Sequence, residues 1–135
     1  MEFVGLLEDP VAIIIRSSDK VEGISFLSPP QSSQQIGQMS RPAGYLVHPH
    51  RHNIVRREIF YTQEVLLIRS GRCVVTLFND DNRLLQTIEL RGGDVIQLCK
   101  GGHSLLVLED CDIIEIKQGP YLGTEDKTLF EIADS

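Results

Sequence analysis

The chain has 135 residues, of which 41% are hydrophobic and 24% charged, and its net charge is −6. These values are typical of one globular domain, and the acidic balance argues against nucleic acid and anionic membrane surfaces as partners. No apolar run approaches the roughly 20 residues that a membrane-spanning helix needs. The acidic N-terminus lacks the basic region of a secretory signal, so we expect a cytoplasmic protein.

The three cysteines, Cys73, Cys99 and Cys111, are odd in number and have no CxxC spacing. This pattern favours buried thiols over a disulfide framework or a zinc knuckle. A chain of this length also buries a core without a metal to hold it together. Any metal that it binds is therefore expected to be functional.

Short apolar runs separated by turn residues follow one another along the chain. They predict strands over residues 3–7, 11–16, 23–27, 34–40, 45–52, 64–70, 72–78, 83–90, 95–99, 103–108 and 113–118. The run Asn79-Asp80-Asp81-Asn82 predicts a hairpin turn. No segment has a sustained 3.6-residue apolar period, so the pattern predicts an all-β sandwich or barrel.

Three of the four histidines, His48, His50 and His52, occupy alternate positions of one predicted strand and would share a face. Same-face neighbours are about 6.7 Å apart at Cα, which lets two imidazoles converge on one ion. His48 and His52 are about 13 Å apart by the same rise, too far to converge. The spacing thus favours either His48 with His50 or His50 with His52. Solvated histidines remain the alternative to a metal site.

Further metal ligands are needed to complete such a pair. Glu64 is in line with the apolar Leu66 and Ile68, where a carboxylate is costly unless a cation or a hydrogen bond compensates it. Glu58, in a polar segment, is an alternative ligand, and His103 follows two glycines that let the chain turn tightly. A mixed set of imidazole and carboxylate suits Fe, Mn, Ni, Co or Zn.

An arginine group lies close to the histidines in the sequence. Arg51, Arg56 and Arg57 form either a solvated surface or an anion clamp.

The same residues resemble the two sequence motifs of the cupin superfamily. Gly44 is followed by five residues and by His50-Arg51-His52, and Glu64 is followed by six residues and by Gly71. In the second motif, Gly93 is followed by five residues and by Cys99-Lys100-Gly101-Gly102-His103. The resemblance covers residues 34–118, and it extends to small single-domain bacterial cupins of unassigned function.

The resemblance implies a double-stranded β-helix, the cupin jelly-roll barrel, with one divalent metal ion per chain. The implied ligands are His50, His52, Glu64 and His103, and His48 becomes a cavity or supporting residue. Residues 1–33 would add N-terminal strands to the cupin core over 34–118, and residues 119–135 would form a tail.

The chain departs from the family pattern in three places. Eleven residues, 53–63, separate His52 from Glu64, where the family has a much shorter spacer. Cys99 replaces a proline, and the turn before His103 is one residue short. The asparagine that ends the second motif is absent. The long spacer is expected to cover the cavity mouth or a partner subunit.

The resemblance gives three hypotheses for function. The first is a metal-dependent protein that binds or acts on a small polar ligand, carbohydrate-like or an oxo-acid, inside the barrel. The second is a non-catalytic metal-binding or small-molecule-sensing module, and the third is a metal-free sugar-nucleotide isomerase. The family also suggests a homodimer, in which segments 1–16 and 121–135 would cover the partner's sheet.

Overall fold

A computed structural model describes residues 1–134 and shows an all-β chain. Its strands are β1 (Glu2–Leu6), β2 (Asp9–Ile15), β3 (Gly23–Phe26), β4 (Gly37–Ser40), β5 (Glu64–Phe78), β6 (Leu84–Arg91), β7 (Val95–Leu98) and β8 (Gly102–Lys117). One 3-10 turn spans Gly123–Glu125. Six strands form one sheet in the order β1-β2-β7-β5-β6, with β8 beside β5, while β3 and β4 form a separate hairpin.

The two longest strands, β5 and β8, pair antiparallel along their whole length, from Glu64 opposite Lys117 to Phe78 opposite Gly102. The other edge of β5 is shared, because β7 pairs with its first residues and β6 with its second half. The register of the β5–β8 ribbon shifts three times between Ile68 and Cys73. Such bulges bend a strand and increase its twist. The large sheet is consequently curled into a half-barrel.

The main core lies inside this curl. One wall comes from β1, β2, β7 and the first half of β5, with the residues Val4, Ala12, Ile14, Leu66, Ile68, Ile96 and Leu98. The other wall comes from β6 and the second half of β5, with the residues Cys73, Val75, Leu77, Ile88 and Leu90. At about 25 cal/mol for each Å² of apolar surface removed from water, burial across the curl is the main stabilising contribution. The core therefore depends on the bend of the ribbon.

The segment between β3 and β4 covers the outer face of the sheet. Ile13, Ile15 and Cys99 form a second buried cluster with Ile36 of this segment. Gln97 is fully buried between them, where it is hydrogen-bonded to Ser28 and to the Gln34 carbonyl. Because both faces of β2 are covered, its sequence is a continuous β-branched run rather than an alternating one.

Residues 41–63 connect β4 to β5 and are called the histidine loop. Every residue from Arg41 to Thr62 is exposed, and no turn or bend occurs between Tyr45 and Phe60. The C-terminal end of the loop is fixed by buried Gln63, whose side chain accepts a hydrogen bond from the Gln34 amide. The same side chain donates to the Cys99 carbonyl. The loop is thus anchored to the body just before β5, and its other end follows directly from β4.

Several sequence predictions are confirmed. The fold is all-β, and the turn over Asn79–Asn82 joins β5 to β6, with the Asn79 side chain accepting hydrogen bonds from the amides of Asp81 and Arg83. Leu66 and Ile68 are buried in line with Glu64, whose side chain is 19% exposed. Cys73 and Cys99 are buried, free thiols, and burial raises the pKa of each to about 11, whereas Cys111 is only half-buried.

Other predictions of strand boundaries are wrong. Residues 64–70 and 72–78 form one strand, as do 103–108 and 113–118, because Gly71 and the residues opposite it make a bulge rather than a turn. The predicted strand 34–40 is reduced to Gly37–Ser40. The predicted histidine strand, 45–52, is not a strand, because no neighbouring backbone in the described chain pairs with it.

Gly71 allows the ribbon to bend, and its replacement tests the dependence of the core on this bend. Its φ is +92°, and a Cβ at this position would lie 2.1 Å from the Asp110 carbonyl oxygen. Gly71→Ala should lower the free energy of unfolding by at least ~3 kcal/mol, the sum of a positive-φ strain and a backbone overlap. Chemical denaturation followed by circular dichroism measures it.

Gly44→Ala is the matched control. Gly44 has a φ of +86°, but no atom lies within 4 Å of the added Cβ. This variant should lose only the strain energy, about 1 kcal/mol. Equal losses in the two variants would contradict a steric role for Gly71.

Candidate functional site

Glu64 and His103 meet at one end of the half-barrel. Glu64 Oε1 lies 3.8 Å from His103 Nε2, although His103 is paired in register with Leu77, thirteen residues further along β5. In a straight strand, thirteen residues span about 43 Å. The curl of the ribbon therefore brings these two side chains together from its opposite ends.

A second carboxylate, that of Glu115, completes this cluster. Glu115 precedes by two residues the Lys117 that pairs with Glu64, so both carboxyls point to the same face of the ribbon. Burial, and then a hydrogen bond and charge repulsion from Glu115, raise the pKa of Glu64 to about 7. The same hydrogen bond lowers the pKa of Glu115. Below about pH 7 the pair thus holds one proton, which Glu64 carries.

The pKa of His103 is lower than the ordinary value for a histidine. Partial burial lowers its pKa, and the negative charge of Glu115 only partly offsets this effect. At neutral pH the imidazole is therefore neutral, with a lone pair available for a proton or a cation.

An open cleft of about 830 Å³ surrounds the cluster. Its walls come from the two ends of the ribbon and from the C-terminal tail, with lining residues that include Glu64, Phe78, His103, Glu115, Lys117 and Asp126. Lys117 forms an ion pair with Asp126 at 3.1 Å, which holds the tail beside the cleft. The cleft is large enough for a small polar molecule.

The histidine pair of the first motif lies elsewhere, on the exposed histidine loop. The rings of His50 and His52 are 5.6 Å apart between centroids and nearly perpendicular. His50 Nδ1 lies 2.8 Å from the His48 carbonyl oxygen. With the proton on Nδ1, His50 donates to that carbonyl and its Nε2 is available to a ligand, as in metal-binding histidines.

The four predicted metal ligands are thus arranged as two pairs. Glu64 and His103 line the cleft, whereas His48, His50 and His52 do not. The alternative ligand Glu58 is exposed and lines a smaller cleft of about 290 Å³, beside Pro10 and Pro29. Within residues 1–134, no three His, Cys, Asp or Glu side chains are close enough to hold an ion.

Glu115 was not predicted from the sequence. Its strand alternates apolar Ile114 and Ile116 with Glu115 and Lys117, a pattern that normally places the polar residues in solvent. In the structure the two isoleucines are exposed and the polar residues line the cleft. No pattern in the sequence indicated that Glu115 would lie beside Glu64 and His103.

In comparisons with protein-family models, curated proteins and solved structures, no significant match to this chain was found. Among the described residues, no helix has the length and apolar character needed to cross a membrane.

The shared proton predicts a pH dependence of stability for the metal-free protein. Between pH 4.5 and about 7 the folded chain keeps a proton on Glu64 that the unfolded chain releases. The contribution of Glu64 to the free energy of unfolding therefore falls as the pH rises through this window, while the lowered pKa of His103 acts in the opposite direction in wild type and variant alike. Glu64→Gln keeps the hydrogen bond and removes the titration.

We expect wild-type protein to lose on the order of 1 kcal/mol relative to Glu64→Gln over this pH range. Urea denaturation of chelator-treated protein at both ends of the window measures the difference. Parallel pH profiles for the two proteins would contradict the shared proton.

Proposed function

We propose that the chain is a cupin-type metal-binding protein that binds, or acts on, a small polar ligand. The observation that supports this proposal is the contact between Glu64 and His103. Glu64 is the carboxylate of the first cupin-like motif, and His103 is the histidine of the second. The curled half-barrel is consistent with a double-stranded β-helix whose closing strand is the predicted histidine strand. The proposed ligands of one divalent ion per chain are His50, His52, Glu64 and His103.

The donor atoms fit such an ion. The neutral imidazole of His103 and the Nε2 of His50 present lone pairs, and Glu64 presents a carboxylate that a cation would deprotonate. Glu64 and Glu115 face the same neutral imidazole, and the repulsion between their carboxylates would be relieved by a bound cation. The set of nitrogen and oxygen donors suits Fe, Mn, Ni, Co or Zn.

The remaining groups of the cleft define what its ligand would be. Lys117 and Lys127 line it beside the carboxylates, and a lysine ammonium binds an anionic oxygen of a carboxylate or phosphate. A bound divalent ion would add a Lewis acid that polarises a carbonyl or hydroxyl oxygen. Glu64 and Glu115, which share a proton near neutral pH, are suited to proton transfer. A carbohydrate-like molecule or an oxo-acid matches these groups.

A metal-free function is the second candidate. The pKa of Glu64, about 7, and the lowered pKa of His103 give an acid and a base that exchange a proton at neutral pH without an ion. Turnover of a sugar-nucleotide that persists in excess chelator would favour this isomerase over the metal protein. A binding or sensing module would bind the same ligands without turnover.

Metal content tests the first candidate. Elemental analysis of protein purified without a histidine tag should give about one divalent ion per chain. Glu64→Ala and His103→Ala should weaken the affinity by at least ~100-fold, because each removes a direct ligand. Calorimetric titration of chelator-treated protein measures the affinity.

His48→Ala is the matched control, since it removes a neighbouring imidazole but not the carbonyl that receives the His50 hydrogen bond. It should retain the ion. Wild-type levels of metal in Glu64→Ala, with unchanged circular dichroism, would refute the proposed ligand set.

A further inference from the structure

The outer edge of β8 has no neighbouring strand in the described chain. Its residues His103, Leu105 and Val107 lie opposite buried residues of β5 and so point into the half-barrel. Leu105 is nevertheless 41% exposed and Val107 49%. A long, apolar, unpaired edge readily pairs with another strand. The half-barrel is therefore open along β8.

The histidine loop has the length and sequence of the missing strand. Sixteen residues, 45–60, run without a turn or bend, and β8 also has sixteen residues. In an extended strand, alternate residues share one face. Here that face would carry Leu46, His48, His50, His52 and Ile54, all of which are exposed. Ile54 is fully exposed, which is unusual for an isoleucine.

The charges of the two segments are complementary. The histidine loop contains Arg41, Arg51, Arg56 and Arg57 against one acidic residue, Glu58, which gives +4 − 1 = +3. β8 contains Glu109, Asp110, Asp112 and Glu115 against one basic residue, Lys117, which gives +1 − 4 = −3. Glu109 and Asp112 already pair with arginines of β5, at exposed positions where such pairs contribute little. In an acidic chain, this loop is a basic segment, and its charge is complementary to that of β8.

The path of the loop favours the β8 edge of another molecule. Glu58, Ile59 and Phe60 line the small cleft together with Asp9, Pro10 and Lys100, next to β2 and β7. At Glu64, β7 lies on one edge of β5 and β8 on the other. Residues 58–60 of the loop therefore lie on the β7 side of β5, and Tyr61 and Thr62 reach the cleft beside β8. To reach the β8 edge of its own chain it would have to cross the end of the ribbon.

We propose that the histidine loop of one copy pairs with the free edge of β8 in a second copy, and the reverse, in a two-fold symmetric dimer. The exchanged strand closes each half-barrel and covers Leu105 and Val107. It also carries His50 and His52 toward the Glu64 and His103 of the other copy, so that each site is built from two chains. Such reciprocal exchange is a common route to homodimers.

The dimer itself is tested independently of any metal. Light scattering of the full chain should give a dimer, and Ile54→Asp should weaken dimerisation at least ~10-fold by placing a negative charge against β8. Leu7→Asp is the matched control, because Leu7 is also an exposed aliphatic residue and lies in the turn between β1 and β2. This variant should remain dimeric. A monomer, or equal effects of both variants, would overturn the proposal.

The sharing of sites rests on the proposed metal function and is tested with mixed dimers. One copy carries His50→Ala and His52→Ala, the other Glu64→Ala and His103→Ala, and two different tags isolate the mixed species. Sites built between chains predict one intact site in each mixed dimer, hence half of the wild-type metal content, and none in either variant homodimer. Sites built within one chain predict no metal in the mixed dimer.

The outcomes separate the two proposals. Metal in wild-type protein but none in the mixed dimer overturns the exchange and leaves the metal function standing. A wild-type dimer without metal refutes the metal function, and the exchange is then decided by the Ile54→Asp and Leu7→Asp pair alone.

Discussion

The hydrogen-bonded ribbon of β5 and β8 is the interaction on which the structure depends. Its two halves belong to opposite walls of the core, and the bulge at Gly71 lets one pair of strands form both walls. The same bend brings Glu64 to His103. Fold and candidate site therefore have one geometric cause, and a change that straightened the ribbon would abolish both.

Local sequence patterns predicted the strand composition of the chain but not its connectivity. Turn residues at Asn79–Asn82 correctly predicted a hairpin, because their side chains form the turn themselves. Gly71 and the acidic residues 109–112 also look like turn residues, yet they lie opposite each other and form a bulge. Only the long-range pairing of β5 with β8 distinguishes these cases. The β-branched run of β2 likewise depends on burial of both faces.

The candidate site was also predictable only where a local pattern was sufficient. Glu64 was identified because a carboxylate in line with Leu66 and Ile68 needs compensation, and this local argument holds in the fold. Glu115 was missed because, at this end of β8, the apolar Ile114 and Ile116 are exposed on one face while Glu115 and Lys117 line the cleft on the other. Only the pairing of β8 with β5 shows which of the two faces lines the cleft.

Gln63 gives the histidine loop a property that its exposed residues alone would not suggest. Its hydrogen bonds to the Gln34 amide and the Cys99 carbonyl fix the end of the loop to the body just before β5, while pairing of β4 with β3 holds the chain before its start. Closing a loop becomes costlier only slowly with length, by about 0.6 kcal/mol for each doubling. Insertions or deletions between Arg41 and Thr62 would leave the half-barrel intact. The segment that carries the histidines is thus free to diverge in length and reach while the scaffold stays constant.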